Sequence, residues 1–121
     1  MEVIFRISED ILIACIKGEV DHHSAAPLRN SIEKAMKAFE CTNLILDFSG
    51  VGFMDSSGIG LVLGRYKKMR KSGGEICISG CSDYIEKILE MAGVFSIIQR
   101  ADDFESAAAM IKGQEQICME V

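Results

Sequence analysis

The sequence predicts an α/β fold with a mixed, mostly parallel β-sheet of about four to five strands and about four α-helices. Two strand patterns come first, and three further strand patterns then alternate with helical patterns. Consecutive parallel strands need crossover connections, so the helices should cover the sheet. With 121 residues, one proline and no long linker, the chain fits a single domain over 1–121. We expect a monomer with a flexible polar tail over 113–121.

The first third of the chain predicts a hairpin followed by a helix. Apolar residues alternate over 3–7, turn-forming residues follow at 8–10, and 11–16 is an unbroken apolar run of strand length. Ser24 can cap the helix that comes next. The apolar face of that helix is formed by Leu28, Ile32, Ala35, Met36 and Phe39.

The middle third predicts a buried strand, a loosened junction and a second helix. The strand covers 43–48, and the glycines of 49–52 predict its end. The helix begins at the serine pair 56–57 and ends before Gly73. Its cationic run over 65–71 is typical of a solvated face near a helix C-terminus. The predicted inner face comprises Ile59, Val62, Leu63, Tyr66 and Met69.

The last third predicts two more strands and two more helices. Ser82 is the predicted cap of the first helix, and Gly93 ends it. Asp102 and Glu105 have the spacing of a capping box for the second helix. The predicted elements are a strand over 75–78, a helix over 83–92, a short strand over 94–98 and a helix over 103–112.

Composition excludes several classes of function. A formal net charge of -5 disfavours nucleic acid and acidic membrane surfaces as partners. No apolar run approaches the roughly 18 residues that a membrane-spanning helix needs. The N-terminus lacks the positive region of a signal peptide, and an odd number of scattered cysteines is a poor disulfide framework. We therefore expect a cytoplasmic protein without a membrane partner.

Two groups of residues could in principle bind a metal. Cys77 and Cys81 form the closest cysteine pair, but no second pair or downstream histidine accompanies them. His22 and His23 follow Asp21, but neighbouring residues of an extended segment project apart and no third ligand is evident. We predict neither a metal nor any other cofactor, and interpret most cysteines as small core side chains.

The segment from Asp55 to Gly64 is the most unusual in the chain, because two serines and three glycines lie where a strand leads into a helix. A dinucleotide fingerprint would place glycine at position 63, which is leucine, and a P-loop would need a Gly-Lys pair. A nucleophile elbow would need glycines two residues before and after the serine. These motifs are absent, and no acid-base partner is evident for an enzymatic serine.

Two interpretations of the serine pair stay open. In one, a serine simply caps the helix while the glycines allow close packing on the sheet. In the other, the helix N-terminus carries a phosphoserine, because its free N–H groups and positive dipole end favour a phosphate. Asp55 would then add to the local negative charge and help to expel a partner with an acidic or apolar patch. Physical reasoning alone does not choose between Ser56 and Ser57.

Three segments resemble one known family. They are Asp55-Ser56-Ser57-Gly58-Ile59-Gly60 after Val51-Gly52-Phe53-Met54, the earlier Gly18-Glu19-Val20-Asp21-His22-His23-Ser24, and Leu63-Gly64-Arg65-Tyr66-Lys67. The chain is similar over essentially its whole length to the anti-sigma factor antagonists with the STAS fold, and most similar to their sporulation members.

The resemblance implies a non-enzymatic phosphoprotein that works by partner switching. The unphosphorylated form would bind an anti-sigma factor that is also a serine kinase, and so release the sigma factor. Phosphorylation of the first serine of the motif, Ser56, would abolish binding, and a serine phosphatase would reset the protein. Asp21 would lie near that serine in the docking surface, together with Asp55, Ser57, Gly58 and Ile59. The alternative is a STAS module of another stress or signalling complex, or one that senses a nucleotide or anion.

Overall fold

One five-stranded mixed sheet organises the chain, which confirms the predicted fold class. The computed structural model describes the backbone of residues 1–120 and the side chains of residues 1–113. The strand order is β1-β2-β3-β4-β5, with β1 antiparallel to β2 and the other neighbours parallel. The elements are β1 (Glu2–Ser8), β2 (Ile11–Val20), α1 (Ala25–Ala38), β3 (Asn43–Met54), α2 (Ser56–Ser72), β4 (Ile76–Ser79), α3 (Asp83–Met91), β5 (Gln99–Ala101) and α4 (Phe104–Glu120).

Helices cover both faces of the sheet, but unequally. The larger core lies under α1, α2 and α3, where Leu28, Val62 and Ile85 are fully buried. The smaller core lies under α4, where Ala107 and Ile111 pack on the opposite face. Because α1 and α2 share one face and follow neighbouring parallel strands, both begin at the same edge of the sheet. That edge carries the unusual serine segment.

The third strand is longer than the sequence predicts. The prediction that it ends after Phe48 was wrong, because β3 continues to Met54 and stays paired with β2 through two irregularities in register. Gly50 explains the continuation: an added Cβ would lie only 3.0 Å from the Ile16 carbonyl oxygen. The missing side chain therefore lets two backbones approach, rather than ending the strand. The extension pairs Val20 with Met54 and joins the ends of β2 and β3.

The caps of α3 and α4 differ in how well they were predicted. The Ser82 hydroxyl accepts a hydrogen bond from the Ile85 N–H at 3.2 Å, which confirms the predicted cap of α3. The prediction of a capping box formed by Asp102 and Glu105 was wrong, because Asp103 Oδ1 instead accepts a hydrogen bond from the Ser106 N–H at 2.7 Å. This bond holds the pKa of Asp103 below its ordinary value. The helix therefore begins one residue later than predicted.

The segment after α3 is a turn and not a strand. A 3₁₀ turn over Val94–Ser96 replaces most of the strand predicted over 94–98, and β5 follows at Gln99–Ala101. Val94 and Ile98 are buried in the larger core, so their apolar character reflects packing and not strand pairing. Gly93 begins the turn with a φ of +79°, a conformation that favours glycine.

The last helix continues beyond its predicted end at Lys112. Its backbone remains helical to Glu120, although a glycine inside a helix costs about 1 kcal/mol relative to alanine. The side chains of 114–120 and the whole of Val121 lie outside the described residues, so the flexibility of the tail over 113–121 stays a prediction. Within the part of the chain that the structure describes, no helix combines the length and apolarity needed to cross a bilayer.

Candidate functional site

Two loops meet at the carboxyl ends of β2 and β3. Asp21 directly follows β2, and Asp55 directly follows β3. The Asp55 N–H donates to the Val20 carbonyl oxygen at 3.3 Å, and the His22 N–H donates to Asp55 Oδ2 at 3.3 Å. The structure thus brings the Asp21 turn and the serine segment together, although 33 residues separate His22 from Asp55.

Asp55 caps α2. Its backbone is extended, and its Oδ1 accepts a hydrogen bond from the Ser57 N–H at 2.8 Å. The interpretation that a serine caps this helix was therefore wrong, because the carboxylate already occupies that role. Among the described residues, no group forms a hydrogen bond with either the Ser56 or the Ser57 hydroxyl. Both hydroxyls lie in the first turn of α2, and neither contributes to its cap.

The two serines differ in their surroundings. Ser56 is exposed, whereas Ser57 is half-buried and lines a groove between α1 and α2. Gly58 is buried beneath them, and an added Cβ would lie 3.0 Å from the Val20 carbonyl oxygen and against the Met54 side chain. Gly58 thus allows α2 to rest on the strand ends. Ile59 is half-buried against the larger core, and direct contact of either residue with a partner stays a prediction.

The carboxylate of Asp21 organises its own turn. Asp21 Oδ1 accepts from the Ser24 N–H at 3.1 Å and from the His23 N–H at 3.0 Å. The bond from the Ser24 N–H is the main reason why the pKa of Asp21 lies below its ordinary value, so the carboxylate stays ionised. It is held beside Asp55 at the same edge of the sheet.

Ser24 precedes α1 but does not cap it with its side chain, so that prediction was wrong. Its hydroxyl donates to the Glu19 carbonyl oxygen at 2.8 Å and accepts from the Asp21 N–H at 2.9 Å. These bonds use the hydroxyl to close the turn between β2 and α1. Glu19 had no predicted role, since only the folded loop brings its carbonyl oxygen to the serine.

Arg65 was wrongly included in the solvated cationic face. It is only 8% exposed, and its Nη1 lies 3.0 Å from Glu33 Oε1 on α1. The helical spacing contained a signal for this burial, because Arg65 follows Leu61 by four residues and both lie on the buried face of α2. Leu63 and Tyr66, predicted on that face, are only half-buried. The inner face of α2 is thus rotated relative to the predicted one.

The side chains considered as metal ligands have other surroundings. Burial raises the pKa of Cys77 to about 11 and that of Cys81 to about 12, which favours the neutral thiol over a metal-binding thiolate. Cys77 packs in the smaller core, while Cys81 packs against the larger one. His22 and His23 stack edge to face, with ring centroids 5.5 Å apart. In the described residues, no three side chains of the metal-binding types are grouped as a metal site would require.

Known proteins resemble this chain in both sequence and fold. Residues 2–107 match the STAS domain family. The anti-sigma F factor antagonist of Paenibacillus polymyxa is 34% identical over 93 residues, covering 77% of this chain and 80% of that protein. The anti-sigma-B factor antagonist of Listeria monocytogenes is 31% identical over 90 residues, covering 74% and 75%. These relatives confirm the resemblance seen in the three sequence segments.

Solved structures agree with this assignment. The unphosphorylated form of the anti-sigma factor antagonist SpoIIAA superposes with a TM-score of 0.73 at 27% identity, covering 93% of this chain and 99% of that one. The phosphorylated form of the Bacillus cell fate determinant SpoIIAA gives a TM-score of 0.70 at 26% identity, covering 90% and 99%. Such proteins are regulatory binding proteins and not enzymes, and the same holds here. On the match of sequence and fold together, the chain belongs to the STAS domain family.

Proposed function

We propose that this protein is an anti-sigma factor antagonist switched by phosphorylation of Ser56. The observation that carries the proposal is the position of the Ser56 side chain, which is exposed in the first turn of α2 while Asp55 performs the capping. A kinase can reach such a hydroxyl without unfolding the helix. Ser57 is less accessible, because it is half-buried in the groove between the helices.

The proposed cycle follows the resemblance to the antagonists. The unphosphorylated protein binds an anti-sigma factor with serine kinase activity, and the sigma factor is released. The kinase phosphorylates Ser56 and the complex dissociates, after which a serine phosphatase restores the binding form. We place this cycle in the cytoplasm, with the protein as a monomer and sporulation as the process that it controls.

Electrostatics accounts for the switch without a change of fold. A phosphoserine adds about 1.5 to 2 negative charges at neutral pH. On Ser56 this charge would be stabilised by the N-terminal dipole of α2, so the helix should persist. The same charge would stand beside Asp55 and near Asp21 on a molecule of formal net charge -5. A partner with an acidic or apolar contact surface would then be repelled.

The proposed docking surface surrounds Ser56. Asp21 and Asp55 supply carboxylates held by backbone N–H groups, so their positions are fixed before the partner arrives. Ser57 and Ile59 supply half-buried side chains, while Gly58 allows the close approach of α2 to β2. A preorganised surface loses less conformational entropy on binding than a mobile one.

Phosphorylation can be tested with the cognate kinase and ATP, followed by peptide mass spectrometry. One phosphate should appear within residues 53–65 of the wild-type chain. Ser56→Ala should remove it, whereas Ser57→Ala, the matched control, should retain it. A phosphate that persists in Ser56→Ala, or that appears only elsewhere, would exclude Ser56 as the switch.

A second candidate is a STAS module of a stress or signalling complex. The observation that favours it is the 31% identity to an anti-sigma-B factor antagonist, which is close to the 34% identity to an anti-sigma F factor antagonist. Binding of the unphosphorylated chain to each purified anti-sigma factor would separate the two. A nucleotide-sensing or anion-sensing domain is the remaining alternative, and calorimetric titration with ATP and GTP would detect it.

A further inference from the structure

A groove with charged side chains in its lining runs between α1 and α2 beside the serine segment. It has a volume of about 440 Å³ and is lined by His22, Arg29, Ser57 and Arg65 among others. Glycines at positions 60 and 64 form part of its wall, and an added Cβ at either would meet no atom within 4 Å. The groove therefore has open space over α2 and cationic side chains at its border.

Arg65 connects this groove to a cluster of charged side chains between α1 and α2. The Glu33 carboxylate faces Arg65 Nη1 at 3.0 Å and Lys68 Nζ at 3.6 Å. Burial alone would raise the pKa of Glu33, but the hydrogen bond and charge of Arg65, followed by the charges of Lys68 and Arg29, hold it below its ordinary value. One carboxylate is thus surrounded by three cations, on a chain whose formal net charge is -5.

The pairing of Arg65 is also incomplete. Its side chain is only 9% exposed, and its Nε–H is buried without a hydrogen-bond partner in the described residues. Buried donors in folded proteins are nearly always paired, so an unpaired one indicates a missing acceptor. The same side chain lines the groove, so an acceptor bound there would lie beside Arg65.

We infer that this groove receives a carboxylate side chain of the protein partner, held between Arg29 and Arg65 beside Ser57. The inference rests on the proposed function and deepens it, because it states the chemistry that the anti-sigma factor must present. Charge complementarity and continuity with the Ser56 surface favour this occupant. Arginine is well suited to it, since its planar guanidinium group matches carboxylate geometry.

The groove also gives phosphorylation a second way to act. A phosphate at the start of α2 would attract the exposed Arg29 across the groove. The same phosphate would repel the carboxylate of the incoming partner. The partner would therefore lose an attractive contact as well as meeting a repulsive one. Such a combination of attraction and repulsion makes a sharper switch than repulsion alone.

The test is the affinity of the unphosphorylated chain for the anti-sigma factor of the source organism, measured by calorimetry at physiological salt. Arg29 is exposed, so Arg29→Glu should fold normally and weaken binding by about tenfold or more, which corresponds to about 1.4 kcal/mol. Arg29→Lys keeps the charge and should lose about threefold or less. Lys87→Glu makes the same charge reversal on the exposed face of α3 and should bind like wild type. Wild-type affinity in Arg29→Glu would overturn the inference.

A second measurement separates this inference from the proposed function. Titration with glutarate and with inorganic phosphate should shift the backbone NMR signals of Gly60 and Gly64, but not that of Gly93, and Arg29→Glu should abolish the shifts. If the wild type does not bind the anti-sigma factor, the proposed function fails, while this titration still decides whether the groove binds oxyanions. Absence of these shifts would overturn the oxyanion site. Tight phosphate binding with an unchanged partner affinity in Arg29→Glu would show that a free anion, and not a partner carboxylate, is the occupant.

Discussion

At the scale of single residues, Asp55 connects the parts of the site. One oxygen of its carboxylate caps α2 through the Ser57 N–H, and the other accepts from the His22 N–H of the preceding loop. Its own N–H donates to Val20 at the end of β2. An N-cap of this kind stabilises a helix by about 1 kcal/mol. Because the Asp55 carboxylate caps the helix, the neighbouring Ser56 hydroxyl is available for modification.

Ser56→Asp should imitate part of the phosphate charge. We expect affinity for the anti-sigma factor to fall by about tenfold or more, because like charges juxtaposed at an interface cost several kcal/mol. The melting temperature should not fall, because an acidic residue at a helix N-terminus stabilises the helix by about 0.3–1 kcal/mol. Ser106→Asp, which adds a charge in the first turn of α4, is the control and should leave binding unchanged. An unaltered affinity in Ser56→Asp would contradict a charge switch.

The lowered pKa of Asp21 predicts that the stability of the protein depends on pH. Its pKa is lowered by the hydrogen bonds from Ser24 and His23, so its contribution is present above the unfolded value of about 3.9 and is lost as the pH falls through the lower folded value. The free energy of unfolding should therefore fall on acidification below about pH 4. Asp21→Asn keeps an acceptor oxygen but cannot titrate. Urea titrations at a series of pH values should show a shallower fall for this variant, and equal slopes would exclude the predicted role.

At the scale of elements, α2 depends on a close approach to the strand ends. Gly58 is buried against Val20 and Met54, while Gly60, half a turn further along, faces open space in the groove. The sequence shows both as glycines of one motif and gives them the same apparent role. The structure separates them, because only one faces the sheet.

Alanine substitutions at these two glycines should have opposite effects on stability. Gly58→Ala should lower the free energy of unfolding by about 1–3 kcal/mol, because the added methyl group would overlap the Met54 side chain. Gly60→Ala should raise it by up to about 1 kcal/mol, since alanine favours the helix and meets no obstacle. Chemical denaturation measures both. A Gly58→Ala protein as stable as wild type would show that α2 can move away from β2 without cost.

The contact between α1 and α2 also belongs to this scale. Glu33 and Arg65 join the two helices, and Arg65 is buried where the sequence suggested a solvated cation. A buried arginine costs free energy unless it is paired, so the ion pair helps to define the spacing of the helices. That spacing shapes the groove beside Ser57.

At the scale of the whole molecule, the sheet order decides which strands are central and which form the edges. β2, β3 and β4 each have a neighbour on both sides, whereas β1 and the short β5 form the edges. The loops of the candidate site extend from β2 and β3, so they are supported by central strands of the sheet. A phosphate added there should change the surface and leave the sheet as it is.

Hydrogen exchange followed by NMR tests this arrangement. Amides of Leu12–Ala14 and Leu44–Leu46 should exchange most slowly, because they lie in the fully buried centre of the sheet. Amides of β5 should exchange faster through local opening. Phosphorylated protein should show the same pattern outside the two loops, and loss of protection across α2 would show that the switch works by unfolding the helix.

The sequence by itself determined the α/β class, the order of most elements and the segment that carries the site. These depend on short-range patterns, namely apolar periodicity, turn residues and the serine pair before a helix. The extent of β3 was missed because the approach of Gly50 to Ile16 depends on a neighbouring strand. The rotated inner face of α2 was missed because several similar apolar faces compete within one helix.

Only the tertiary structure decided which residues act together at the site. It made Asp55 the cap in place of a serine, buried Arg65 against Glu33, and joined the Asp21 turn to the start of α2. For the last two, the physical reason is the distance along the chain: Glu33 and Arg65, like His22 and Asp55, lie about thirty residues apart, and no local pattern encodes an ion pair or a hydrogen bond across such a separation. The sequence therefore located the serine segment, and packing of α1 and α2 on one face of the sheet determined its surroundings.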